Sequence, residues 1–354
     1  MSHELEPGDR VVVTGAAGFI GSAVTRALLA RDAHVVALLE PGAVASNLDA
    51  LDVERVTADV TRADELEGVF RGARFCFHLA AKFGFWPKDS STFYAVNVRG
   101  SQNVVRACVE AGVERIVYTS TVATLGLWHT KEGRPSNEDD VADLSHLHGN
   151  YKRSKYVAEH EVLRLAASGA PVVLVLPTMP HGPYDYRPTP SGKVVLDFLN
   201  GRMPGFVETA MNVAHVDDLA NGHVLALERG TQGRSYICGG TNLTMAALLA
   251  ILADVTGLPP ADQRFPSALP MIAGVLSQFI EGELLEREPH VPLEAAQMAN
   301  RPMIFDDTRA RNELGYTSRD SALALYDSAA WFVEHNYVKP ERAAQIRWRP
   351  PAGA

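Results

Sequence analysis

Tyr151 and Lys155 stand four residues apart in the stretch GNYKRSKY. On a helix that spacing puts both side chains on one face, a phenol beside an ammonium. A phenol of ordinary pKa, about 10, exchanges protons poorly at neutral pH, and a neighbouring cation favours its ionised form. The pair has the makings of a proton donor and the charge that tunes it. The same spacing also arises on any polar helix surface, so the rest of the chain decides between the two. Upstream, Ser120 and Thr121 in YTSTVATLG end a strand-like run, where either hydroxyl serves a substrate oxygen or merely caps the next turn.

Gly15, Gly18 and Gly21 in TGAAGFIGSAV lie between a run that reads as a strand and one that reads as a helix. In that context the first glycine permits a tight turn, the second lets main-chain N–H groups approach a pyrophosphate, and the third lets helix and strand pack closely. The helix N-terminus adds a positive dipole end. Glu40, at the end of the second strand-like run, is placed to accept hydrogen bonds from an adenosine ribose and to repel a 2′-phosphate, which favours NAD(H) over NADP. Arg31, the nearest base before it, reads as a charge at a helix C-terminus. Asp59 is equally an acceptor for the adenine amino group and an N-cap.

These groups need a scaffold, and the hydrophobic pattern supplies one. Valine-rich runs at Arg10–Thr14, His34–Leu39, Arg55–Asp59, Arg74–Ala80, Arg115–Ser120 and Val172–Leu176 alternate with amphipathic stretches near Phe19–Arg31, Arg62–Phe70, Thr92–Ala111 and Tyr151–Ala167. The pattern predicts an α/β fold, a Rossmann-like doubly wound parallel sheet with helices on both faces. Gly112 and Gly169 fall where helix C-termini favour positive φ. After Pro177, PTMPHGPYDYRPTPSGK reads as an irregular excursion over the carboxyl end of the sheet, where substrates are held. Met211–Glu228 reads as a returning strand and helix with Asp217 or Asp218 as N-cap. A smaller, interleaved C-terminal α/β domain follows, so the expected division is residues 1–176 plus 211–230 for the dinucleotide and 177–210 plus 231–354 for the substrate.

Of the 354 residues 46% are hydrophobic and 21% charged, with a formal net charge of −9, a balance that argues against nucleic acid as a general partner. Cys76, Cys108 and Cys238 are scattered without a C-x-x-C, so neither a disulfide framework nor a thiolate metal site is expected. The twelve histidines form no ligand set, and no metal is predicted. MSHELEPGDR lacks the apolar core of a secretory signal, so a cytoplasmic protein is expected. The apolar run Leu269–Ile280 is too short to span a bilayer. It reads as a buried helix, with a peripheral membrane contact or a wall for a greasy substrate as alternatives.

Taken together, TGAAGFIG, HLAA from His78, NVRGSQNVV from Asn97, YTSTVATLG, YKRSK and HVDDLANGH from His215 resemble the extended short-chain dehydrogenase/reductase family, the NAD-dependent epimerases and dehydratases. The motifs cover nearly the whole chain in the family's order. Within the family, PTMPHGP, RPTPSGK and DFLNGRMP are most similar to the hopanoid-associated sugar epimerase and dihydroflavonol-4-reductase-like branch. The resemblance implies a catalytic set of Thr121, Tyr151 and Lys155. Thr121 is chosen over Ser120 by its distance from Gly126, and Lys155 is expected also to hold the nicotinamide ribose. It implies a structural asparagine at Asn97 and a coenzyme site extending through Ala17, Phe19 and Ile20 in the turn and Val60 after the third strand. Leu79, Ala80, Ala81 and Lys82 after the fourth strand, Thr119, Pro177 and Thr178 complete it. A homodimer is expected on the same ground.

Two departures bear on chemistry. The dihydroflavonol-reductase branch carries an arginine where this chain has Glu40, which reinforces NAD. Sugar-nucleotide epimerases carry an asparagine before the proline after the sixth strand, where this chain has Leu176, and a leucine cannot replace those hydrogen bonds. Phe83, Phe85 and Trp86, with Met179, His181, Tyr184 and Tyr186, read as walls for a bulky, partly apolar substrate, and Thr121 as its polar contact. The expected activity is an NAD(H)-dependent carbonyl reductase or alcohol dehydrogenase. A sugar epimerase or dehydratase with tightly bound NAD is the first alternative, and a dinucleotide-binding sensor without catalysis the second.

Overall fold

Strand sequences such as RVVVT and VVLVLP are apolar at successive positions, the mark of strands buried on both faces. In the computed structural model, which describes residues 3–84, 90–127, 133–266, 268 and 301–353, they form the centre of a seven-stranded sheet. Its members are β1 (Arg10–Thr14), β2 (His34–Leu39), β3 (Glu54–Thr57), β4 (Phe75–His78), β5 (Arg115–Thr119), β6 (Val172–Pro177) and β9 (Ser235–Cys238). They run in the order β3-β2-β1-β4-β5-β6-β9, every pair parallel. The order reverses between β1 and β4, opening a crevice at the carboxyl ends.

Helices α1 (Phe19–Leu29) and α6 (Val216–Arg229) cover one face, where Val24, Leu28, Leu219 and Val224 meet Val11 and Val13. On the other, α3 (Ser101–Glu110) and α4 (Asn150–Ala167) place Val104, Val105 and Val162 against Val12 and Ile116. A second sheet of three strands, β7 (Met179–His181), β8 (Ala210–His215) and β10 (Thr241–Thr244), packs with α5 (Pro190–Leu199), α7 (Met245–Thr256) and α9 (Ser321–Glu334) around a third core. Gly112 and Gly169 take φ of 75° and 106°, as their positions require.

Several expectations are corrected. The helix expected at Arg62–Phe70 is a short 3-10 turn, Ala63–Leu66: Gly68 adopts φ 80°, and the Glu65 carboxylate accepts from the Asp59 N–H at 2.8 Å instead of lying along a helix. Thr92–Ala111 is not one regular helix. A turn of α2 (Ser91–Tyr94) widens into a π segment, Ala95–Gly100, before α3 begins. There the chain gives way to the neighbouring strand end, since a Cβ at Gly100 would lie 2.8 Å from Val60 Cγ2. The N-cap of α6 is His215, whose Nδ1 accepts from the Asp217 N–H at 3.1 Å. Asp218 is engaged elsewhere, by the N–H and Nε of Arg319 at 2.8 Å each.

The two sheets also divide the chain differently from the expected boundaries. β8, assigned to the dinucleotide domain, pairs with β7 and β10 in the small sheet, whereas β9, assigned to the substrate domain, is the edge strand of the large one. Burial explains the exchange: Tyr236 and Cys238 of β9 fill the core under α6, and α8 (Thr308–Leu314) brings Ala310 and Leu314 back to close it. Leu269–Ile280 lies outside the described residues. Among the described residues no helix is long and apolar enough to cross a membrane.

Candidate active site

The glycine turn is shaped by contacts that tolerate no side chain. Gly15 has φ 68°, and a Cβ there would lie 2.7 Å from the Ala80 N. One at Gly21 would overlap the Gly15 carbonyl oxygen. Gly18 donates to that same carbonyl at 2.9 Å and caps α1 with no side-chain hydrogen bond, so the N–H groups of the first helical turn remain for a ligand. In front of the turn lies a cleft of about 460 Å³, and Gly15, Ala17, Gly18 and Phe19 line it. Glu40, Asp59 and Val60 line it from the ends of β2 and β3, and Leu79 to Lys82 from the end of β4. This is the shape and chemistry a dinucleotide requires. Asp59 borders the cleft, and its Oδ1 accepts from the Thr61 N–H at 2.8 Å; the N-cap of the following 3-10 turn is Arg62.

Tyr151, in the first turn of α4, and Thr121, just after β5, are near enough for the Thr121 hydroxyl to act on the Tyr151 phenol. Thr121 Oγ1 also accepts from the Ala123 N–H at 3.2 Å. The Phe83 ring meets Tyr151 edge-on, centroids 4.7 Å apart. Burial pushes the Tyr151 phenol up to about 12, and the Thr121 hydroxyl opposes that shift. The expectation that Lys155 pulls it down is not met in this arrangement. The Lys155 ammonium donates to Tyr118 Oη at 3.1 Å and to the Thr119 carbonyl at 2.8 Å, both on β5. Burial lowers its own pKa to about 8, against the attraction of Glu159.

Glu159 and His78 are site residues that the sequence reading did not single out. The buried Glu159 carboxylate accepts from Ser120 Oγ and, at 2.8 Å, from Thr124 Oγ1. Ser120 is thereby turned inward and Thr121 is left at the open end of β5. The signal was present: Tyr151, Lys155 and Glu159 recur every four residues on one helical face. His78 is held between Thr14 Oγ1 (2.7 Å, Nδ1) and Ser101 Oγ (3.0 Å, Nε2). Ser101 donates its proton to the Asn97 carbonyl at 2.6 Å, so His78 Nε2 carries the hydrogen and Nδ1 accepts from Thr14. Burial lowers His78 to about 3, which keeps the ring neutral.

Asn97 is buried, and its amide is consumed by the fold. Its Oδ1 accepts from the Lys82 N–H at 2.7 Å, and its Nδ2 donates to the Lys82 carbonyl at 3.0 Å and to Ser154 Oγ at 2.8 Å. It pins the strand-end loop to α4; it does not line the cleft, and neither do Ile20, Gly21, Thr119, Tyr151, Lys155, Pro177 or Thr178. Thr119, expected at the coenzyme, turns its hydroxyl to His223 Nε2 at 3.0 Å on α6. Pro177 closes β6, and the next residue, Thr178, has a buried hydroxyl with no hydrogen-bond partner among the described residues. That orphaned group faces no rival for a polar ligand.

Of the expected substrate wall, Phe85 and Trp86 lie outside the described residues. Met179 packs into the third core. His181 is buried with both ring nitrogens unpartnered among the described residues, and its pKa is lowered to about 3 by burial and by His215. Tyr184 and Tyr186 line the same cleft as the glycine turn, and Tyr184 adopts φ 73°. Ser46, Asn47 and Arg187 also border the cleft and were missed, being loop residues without a local pattern. Among the described residues no three metal-ligating side chains converge.

Comparison with known proteins follows the same lines. The model of the NAD dependent epimerase/dehydratase family matches residues 11–239. The chain is 36% identical to a putative dihydroflavonol 4-reductase of Synechocystis sp. over 345 residues, covering 96% of this chain and 99% of that protein. It is 31% identical to sterol demethylase protein B of Methylococcus capsulatus, covering 92% and 99%. The crystal structure of gox2253 superimposes with a TM-score of 0.83 at 39% identity, covering 94% of this chain and 100% of that one. With its glycine turn, its parallel sheet and its Tyr151-x-x-x-Lys155 helix, the chain belongs to the NAD-dependent epimerase/dehydratase family of extended short-chain dehydrogenases and reductases, and is an enzyme of that family.

Proposed function

We propose that this protein is an NAD(H)-linked oxidoreductase that interconverts a carbonyl and a hydroxyl on a bulky, partly apolar substrate. The observation that carries the reading is the juxtaposition of Tyr151 and Thr121 at the carboxyl end of β5, with Lys155 anchored to the Thr119 carbonyl of the same strand, in a sheet whose first strand ends in the glycine turn. When bound, the nicotinamide supplies or accepts the hydride. Thr121 orients the substrate oxygen, and Tyr151 gives that oxygen its proton or removes it. A phenol raised to about 12 is loaded with its proton at neutral pH, which suits the reductive direction. Lys155, protonated below about 8, holds the nicotinamide ribose. Glu40, at the ribose end of the cleft, favours NAD over NADP. A cytoplasmic homodimer is part of the same reading.

Leu176, buried in β6, offers no hydrogen bond where a nucleotide diphosphate would need one, which favours a non-nucleotide substrate. A panel of aldehydes, ketones, alcohols and nucleotide sugars, followed with NADH and NADPH by absorbance, tests the reading. Stoichiometric loss of NADH with an apolar carbonyl compound is the expected result. Isomerisation of a sugar on tightly retained coenzyme, with no net absorbance change, would establish the epimerase instead. Coenzyme binding without turnover of any class would leave a sensor.

A further inference from the structure

The segment between β7 and α5 reaches the coenzyme side of the molecule. Tyr184, at φ 73°, lays its ring over the Arg26 guanidinium of α1, with Cζ 3.9 Å from the centroid. Both terminal nitrogens of Arg26 are buried and bond to no described residue, so the ring face is what that cation has. Asp185, buried, accepts from the Thr189 N–H at 2.9 Å and the Thr189 hydroxyl at 2.8 Å, closing the loop onto the start of α5. The Tyr186 carbonyl accepts from Tyr337 Oη at 2.8 Å, and its ring packs on Trp331. The strap is therefore fastened on both sides of Arg187.

Arg187 itself is exposed, makes no hydrogen bond or ion pair among the described residues, and borders the same cleft as Gly15 and Gly18. The other charged groups on that cleft have separate places. Glu40 and Asp59 follow β2 and β3, Lys82 follows β4, and both Asp185 oxygens accept from Thr189. The uncapped N-terminus of α1 favours an anion at the turn, and a guanidinium is the side chain suited to complete such a site. We propose that residues 184–189 form a clamp over the bound coenzyme, in which Arg187 pairs with the dinucleotide's diphosphate. The inference rests on the coenzyme reading above and extends it: the segment that leads to the substrate domain becomes a reporter of coenzyme occupancy.

The test is equilibrium binding to the full chain. NADH is titrated by fluorescence, and ADP-ribose and adenosine by calorimetry, on the wild type, Arg187→Ala and Arg187→Lys. The alanine variant is expected to bind NADH and ADP-ribose about tenfold more weakly, with adenosine unchanged. Lysine should restore most of the loss, and the difference should shrink as salt rises. Unchanged NADH and ADP-ribose affinity in the alanine variant would overturn the clamp while leaving the coenzyme reading intact. So would an equal loss for adenosine, which marks a general distortion. A wild type that binds neither NADH nor ADP-ribose would overturn the reading beneath it.

Discussion

The two ends of the sheet's carboxyl edge, the glycine turn and the β5–α4 region, are built from different materials. At the glycine turn main chain meets main chain: Gly15 lies against Ala80, and Gly18 and Gly21 against the Gly15 carbonyl, with no side chain between them. Around β5 and α4 the positions are set by buried side chains that bond one another, Glu159 with Ser120 and Thr124, Lys155 with Tyr118, and Asn97 with Lys82 and Ser154. The first end is broken by adding volume and the second by removing a polar partner. On the proposed function the glycine end would act on coenzyme affinity, and the polar end on proton chemistry and on stability.

Perturbations at the two ends should separate in size and in readout. Gly21→Ala forces a Cβ into the Gly15 carbonyl, and the turn has to open. NADH affinity, read by fluorescence titration, should fall on the order of a hundredfold, the scale of losing about two main-chain hydrogen bonds to the coenzyme. Asn97→Ala leaves the Lys82 N–H without its acceptor and removes the donor to the Lys82 carbonyl and Ser154 Oγ. Denaturant unfolding should show a loss of about 1–3 kcal/mol, with NADH affinity changed far less. An equal collapse of affinity would erase the contrast between the two ends.

Smaller effects sharpen it. The reductive rate should decline as pH rises through about 8, where Lys155, its pKa lowered by burial, loses its charge. Below that pH the ammonium is present and the rate should be flat on this account; a profile unchanged to pH 9.5 would remove Lys155 from the chemistry. Glu40→Ala should narrow the preference for NADH over NADPH by about tenfold, the scale of one charged contact, with no change in rate at saturation. A preference that does not move would leave Glu40 as a bystander on the cleft wall.

How much of this was legible in the sequence follows the same division. Strand–turn–helix order, the glycines and the Tyr151/Lys155 pair are local patterns, and the parallel sheet with its turn is where they put it. The carboxylate at Glu159 was visible as a third residue on the helical face but has meaning only beside Ser120 and Thr124, which lie 39 and 35 residues away. Desolvation is equally non-local: Lys155 was read as the group that tunes Tyr151, yet burial governs both pKa values. The strands β8 and β9 exchanged sheets because side-chain period reveals burial but not the partner strand. Tyr184 and Tyr186 were read as walls for a substrate, whereas both border the cleft in front of the glycine turn, where Tyr184 adopts a positive φ that no sequence rule requires of tyrosine.

The central claim is that the Tyr151 hydroxyl relays the proton while hydride passes. Its most direct measurement is single-turnover reduction by Tyr151→Phe preloaded with NADH, alongside the NADH dissociation constant of the same preparation. The account predicts an unchanged constant and a transfer rate about 10²–10⁴-fold slower than wild type. A phenylalanine variant that binds NADH and transfers at the wild-type rate would contradict it.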